Sequence, residues 1–282
     1  MVTDTSTCPR LDDREIHAFQ KIVRDYYRRA GRSFPWRETT DPYRILVSEL
    51  MLQQTQTARV VEKFVRFTDT LPDVFSLADA STHEVLSLWQ GLGYNRRALY
   101  LKEAAGVVVR EYNGVLPADG AALLSLPGVG PATAGALLAF AFNEPSVFVE
   151  TNIRAVFIHY FFEGTDAVAD RDILPLVEAT LDREDPRTWY WGLMDYGVFL
   201  KESAENPAKR SAHHTTQSPF KGSDREIRGA VLALLVEQGL ILKDDILARF
   251  PGEAERVMRI VADLEREGFL DIRGNTIAPK EG

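Results

Sequence analysis

The chain has 282 residues, 45% hydrophobic and 26% charged, the make-up of a globular protein with a sizeable core in one large or two modest domains. The longest apolar runs, Gly135 to Phe142 and Ala230 to Val236, are too short to cross a bilayer, and Met1 to Arg10 lacks an apolar signal core, so a cytoplasmic protein with no membrane partner is expected. A single cysteine, Cys8, excludes an internal disulfide framework and cannot hold a structural metal or cluster alone, while the net charge of −8 weighs against nucleic acid unless basic residues gather locally.

Residues 1–12 read as a disordered leader. From Asp13 to Phe199 apolar residues recur at three- and four-residue spacing, in Ile16–Tyr27, Arg44–Phe67, His83–Leu88, Ala98–Tyr112 and Ala132–Phe142, and strand signals are nearly missing. Turns marked by Gly-Arg-Ser, Leu-Pro-Asp, Gly-Leu-Gly and Pro-Gly-Val-Gly divide this stretch into roughly ten helices, an all-α domain over 13–205. Residues 206–223 turn to Pro, Ser, Thr, Gln and basic residues and read as a linker. In 224–282, helices at Asp224–Gln238, Leu242–Phe250 and Gly252–Gly268, then two strands around Arg273-Gly-Asn, predict a small winged-helix-like α+β unit. Three local basic stretches stand against the acidic total: Arg28, Arg29, Arg32 and Arg37; Arg96, Arg97 and Lys102; and Lys209, Arg210, His213, His214 and Lys221.

The most informative segment is Leu126-Pro127-Gly128-Val129-Gly130-Pro-Ala132. Two glycines separated by one apolar residue, just before a small-residue helix, permit a tight backbone approach, and successive outward N–H groups at a helix N-terminus form an anion site. Around it, in order, come Phe34-Pro-Trp-Arg, Pro42-Tyr, Ser48-Glu-Leu-Met-Leu-Gln-Gln-Thr-Gln56, Leu88-Trp-Gln-Gly-Leu-Gly-Tyr94, Glu150-Thr-Asn-Ile-Arg154 and Met194-Asp-Tyr-Gly197. On these motifs the chain resembles the helix-hairpin-helix (HhH-GPD) DNA glycosylases, and within them the MutY-type A/G-specific adenine glycosylases. The resemblance implies an all-α HhH-GPD fold of two helical lobes, a monomer, and a double-stranded DNA substrate carrying a mismatched or damaged base.

Cleaving an N-glycosidic bond needs a proton for the departing base and negative charge beside an oxocarbenium-like sugar, work for two carboxylates in different surroundings. Glu49, in an apolar helix that favours a protonated carboxyl, matches the family's general acid. Glu150 stands where the superfamily has aspartate, and its extra methylene moves the carboxylate by roughly 1.5 Å, so either the pocket is rebuilt around it or activity is weak. Ala132 replaces the lysine with which bifunctional relatives form a Schiff base, which implies a monofunctional enzyme. Gln53, Gln54 and Tyr94 are expected to fill the stack around a flipped base, with Arg96 and Arg97 near phosphates and Asn152 and the Pro127, Gly128, Val129, Gly130, Ala132 hairpin also at the DNA. The four cluster-binding cysteines usual in relatives are missing, so no metal and no cofactor is expected and hydrophobic packing with the stretch Lys209–Lys221 must supply order there. The leading expectation is removal of adenine opposite guanine or 8-oxoguanine. A uracil or thymine mismatch glycosylase is the nearest alternative, and a non-catalytic damage-binding module the other.

Overall fold

The computed structural model describes residues 10–203, 206–216 and 218–280; residues 1–9 of the expected leader, Cys8 among them, lie outside the described residues. Eleven α-helices run in order: α1 Asp13–Ala30, α2 Pro42–Leu52, α3 Thr57–Thr70, α4 Val74–Asp79, α5 Thr82–Trp89, α6 Arg96–Tyr112, α7 Gly120–Leu124, α8 Pro131–Phe142, α9 Thr151–Phe161, α10 Asp170–Thr180 and α11 Pro186–Ser203. A 3-10 turn, Pro207–Arg210, follows, and then α12 Asp224–Gln238, β1 Ile241–Leu242, α13 Lys243–Arg249, α14 Ala254–Arg266, β2 Leu270–Arg273 and β3 Thr276–Pro279. No helix among the described residues is long and apolar enough to cross a membrane.

The chain divides into two compact units, the first made of Met1–Ile45, Ala118–Leu124 and Val129–Thr216, the second of Leu46–Pro117, Ser125–Gly128 and Gln217–Gly282. In the first, α1 starts in a capping box between Asp12 and Glu15 and buries Phe19 and Val23. Phe19 meets Phe157, Phe161, Tyr160 and Trp189 edge-on, with ring centroids 5.1 to 5.9 Å apart, and this aromatic knot binds α1 to α9 and α11. The 3-10 turn lies within the stretch read as a linker, and it is fastened to α9. Arg210 donates to the carbonyls of Phe162 and Ile158, Val168 N–H donates to Arg210 O at 2.9 Å, and Ala212 N–H donates to Val168 O at 2.9 Å. Side-chain capping of α9 and a short backbone bridge thus tie down residues 210–212.

In the second unit, α3 to α6 enclose Phe64, Phe67, Trp89, Leu101 and Val108. The C-terminal elements form a winged-helix-like layer: α12, α13 and α14 cover a sheet of strand order β1-β3-β2, antiparallel throughout. The hairpin pairs Arg273 with Thr276 across Gly274 and Asn275, as its turn residues dictate. The two-residue strand β1, pairing Ile241 with Ile277, is additional to the two strands expected from sequence. Helix α12 packs on α5, where His83 Nε2 lies 3.1 Å from the Val236 carbonyl.

Candidate active site

Glu150 is the N-cap of α9. Its Oε1 accepts from the amides of Asn152 at 2.8 Å and Ile153 at 2.9 Å, and its Oε2 accepts from Asn152 Nδ2 at 3.1 Å. The extra methylene is taken up by folding the side chain back over its own helix, where the positive end of the helix dipole faces the carboxylate. Beside it, Asn152 Oδ1 is buried with no hydrogen-bond partner among the described residues.

The start of α9 is fixed by two other motifs of the same unit. A Cβ on Gly197 would sit 2.2 Å from Asn152 O, so only glycine lets α11 approach this closely. Two residues earlier Asp195 is buried and accepts two bonds from the Arg37 guanidinium, at 2.8 and 2.9 Å, and one from the amide of Arg32 at 2.8 Å. Burial alone would raise the Asp195 pKa; the Arg37 guanidinium, with Arg32 beside it, holds it below the ordinary carboxylate value. Arg32 and Arg37, read from sequence as part of a basic patch, are therefore partners of a buried carboxylate. Arg154, the last residue of the Glu150 motif, grips Asp170 through Nε at 2.6 Å and Nη2 at 2.8 Å and ties α9 to α10.

Glu49 lies in the second unit, half-buried on α2 between the buried Ser48 and Leu50. The helical pattern read through Arg44–Phe67 is broken after it, between α2 and α3, with neither glycine nor proline at the break. Gln54 there has φ of 55°, and Tyr94 has φ of 46°. These two residues, both expected at the DNA, share the left-handed conformation that costs a non-glycine residue on the order of 1–3 kcal/mol. Both are exposed.

Arg97 holds the two turns in place. Its guanidinium donates to the carbonyls of Leu50 at 2.7 Å, Met51 at 2.9 Å and Gln53 on one side. It donates to Thr55 Oγ1 of the same turn at 3.0 Å, and on the other turn to Gly93 O at 3.0 Å, while its Nε donates to Tyr94 O at 3.3 Å. Desolvation by burial brings its pKa down from 12.5 to about 10. The expectation that Arg97 lies near phosphates is corrected accordingly: it is 7% exposed, and its donors are directed at backbone. Arg96, one residue earlier, is exposed and stacks over Tyr100.

The hairpin is the turn between α7 and α8. Gly128 has φ of +76°, and a Cβ there would meet Tyr100 Cβ at 2.8 Å; Gln53 Nε2 donates to Gly128 O at 3.4 Å. Pro127 is half-buried and the Val129 side chain is buried, so what the turn offers outward is mainly backbone. Helix α8 begins at Gly130 and Pro131 with no side-chain cap, so the positive end of its dipole faces the turn, and Ala132 brings no amine to it.

A family profile described as HhH-GPD superfamily base excision DNA repair protein matches residues 47–173. The adenine DNA glycosylase of Mycobacterium tuberculosis is 35% identical over 231 residues, 74% of this chain and 76% of its own length. That of Buchnera aphidicola subsp. Baizongia pistaciae is 36% identical over 143 residues, but the match spans only 41% of that relative. The chain belongs to the HhH-GPD superfamily, on the branch of the adenine DNA glycosylases. Among solved structures, a thermostable thymine-DNA glycosylase superposes with a TM-score of 0.62 at 28% identity, covering 67% of this chain and 88% of that one. Endonuclease III in a trapped covalent complex with DNA superposes at 0.57 and 18% identity, which speaks for the fold alone. An iron–sulfur cluster does not fit this chain, because one cysteine cannot supply four thiolates and no group of three His, Cys, Asp or Glu side chains is gathered for a metal among the described residues.

Proposed function

We propose that the chain is a monofunctional DNA glycosylase of base excision repair that hydrolyses the N-glycosidic bond of adenine mispaired with guanine or 8-oxoguanine. The observation that carries this reading is the Glu150 carboxylate, held by three donors at the N-terminus of α9 beside Asn152, in a chain 35% identical to an adenine DNA glycosylase over 231 residues. In this scheme Glu49 gives its proton to the departing base. Glu150 faces the positive charge that develops at C1′, and water completes the sugar. The proton released by that water leaves with the Glu49 carboxylate, which restores the acid. With alanine at position 132 there is no Schiff base, so the product is an intact strand with an abasic site.

A panel of duplexes carrying adenine, thymine, uracil or 8-oxoguanine in every pairing, incubated with the protein and then treated with alkali, tests the proposal. Strand cleavage at adenine, only after alkali, is the expected result. A borohydride-trapped protein–DNA adduct in good yield would contradict the monofunctional scheme. A second reading, thymine or uracil removal opposite guanine, is favoured by the 28% identity to the thymine-DNA glycosylase, and the same panel decides between the two.

A further inference from the structure

The second unit contains a groove of about 1110 Å³. One wall is formed by the turns that carry Gln54 and Tyr94, the other by α12 and the segment preceding it. Five arginines line it, Arg59, Arg96, Arg97, Arg225 and Arg228, against one carboxylate, Glu267. Arg228 is neutralised by Glu267 through bonds of 3.0 and 2.5 Å, and Arg97 is enclosed by carbonyls. Arg59, Arg96 and Arg225 have no carboxylate partner among the described residues. On a chain of net charge −8, three uncompensated cations on one groove make a local field opposite in sign to the overall charge.

The groove also presents an aromatic face. Phe220 is 60% exposed, and its segment is pinned from three sides. Arg225 Nη2 donates to Ser218 O at 2.5 Å, Ser223 Oγ to Phe220 O at 2.6 Å, and Arg256 Nη2 to Gly222 O at 2.9 Å. A solvent-facing ring on a tethered backbone, in a groove lined by arginines, suits a nucleobase whose phosphates lie alongside, whereas an acidic peptide would use the cations and leave the ring idle.

We propose that this groove binds the DNA strand opposite the excised base, its phosphates on Arg59, Arg96 and Arg225 and its unpaired base stacked on Phe220. The winged-helix-like layer is then part of the DNA site. The inference rests on the glycosylase reading for the strand's identity, since Gln54 and Tyr94 form the shared wall.

The test uses the full chain with Phe220→Ala, Phe220→Trp and Arg59→Ala. The probe is a duplex whose target adenosine carries a 2′-fluorine that blocks hydrolysis, opposite guanine; single-turnover base release is measured separately at saturating protein. Phe220→Ala is expected to raise Kd about tenfold and Phe220→Trp to restore it. Arg59→Ala should lower the steepness of log K against log salt by about 0.9, one phosphate contact. Parental affinity and salt slope in both alanine variants, with base release intact in the parent, would overturn the groove while sparing the enzyme. If instead the parent releases no base from any pairing while both variants bind more weakly as stated, the groove stands and the glycosylase reading falls.

Discussion

At Glu150 a side chain one methylene longer than the usual capping residues reaches the same amides by bending back, so the carboxylate rather than its length is what the site holds. Glu150→Asp is therefore expected to keep the cap and stay within about tenfold of the parent in single-turnover base release. Glu150→Gln should lose at least about a hundredfold, because neutralising the group removes the charge opposite the developing cation. A Glu150→Asp protein as inactive as Glu150→Gln would show that the pocket is built around glutamate's geometry. Asp195 works at one remove. Asp195→Asn leaves the buried Arg37 guanidinium without its charge partner and should destabilise the fold by about 3–5 kcal/mol, read by denaturant unfolding. Because its folded pKa lies below 3.8, the stability Asp195 contributes is complete above that value and disappears as pH falls through the lower folded one, so the variant and parent curves should converge in strong acid.

Among the elements, the segment between α2 and α3 depends most on a single side chain. Removing the Arg97 guanidinium relieves the desolvation cost that its depressed pKa records, yet it strands carbonyls on both turns, each worth about 1–3 kcal/mol when left without a donor. The carbonyls outnumber the one cation, so Arg97→Met is expected to lose roughly 3 kcal/mol or more and to weaken mismatch binding. Arg97→Lys should recover little, since one ammonium cannot span the Leu50 and Gly93 carbonyls as a planar fork does. Unchanged melting and binding in Arg97→Met would remove the clamp from the account. The same residue marks the limit of what periodicity reveals. Helices α1, α5, α6 and α8 lie where the three- and four-residue spacing places them, to within a few residues at each end, because their apolar faces meet a core. The break in Arg44–Phe67 was not legible, because Gln54 takes a left-handed backbone in a turn that the distant Arg97 helps to hold. Glu49, Glu150 and the hairpin could be named from motifs, whereas the burial of Arg97 and the pairing of Arg37 with Asp195 depend on contacts that reach 42 to 47 and 158 residues along the chain.

At the scale of the whole molecule, the two units differ in what alkali does to them. Tyr26, Tyr27, Tyr160 and Tyr190 all belong to the first unit, and burial pushes all four phenols upward, helped at Tyr160 by its hydrogen bond to Tyr196. A buried phenol resists becoming a phenolate, so the folded unit keeps protons that an unfolded chain releases near pH 10. The stability these tyrosines contribute is complete below pH 10 and is lost as pH rises toward their folded values. The second unit has the opposite case in Arg97, whose cation desolvation pushes downward, so rising pH removes no stability through it. Alkali should therefore open the first unit first. Phenolate absorbance is expected to rise in two steps, the second belonging to Tyr26, Tyr27, Tyr160 and Tyr190, which titrate only when structure is lost. Three of the four tryptophans, Trp36, Trp189 and Trp191, lie in the first unit and Trp89 in the second, so tryptophan emission should change with the second phenolate step. A single smooth titration of all nine tyrosines with native emission retained would mean that the aromatic knot around Phe19 admits charge, and that α1, α9 and α11 are held by something other than its burial.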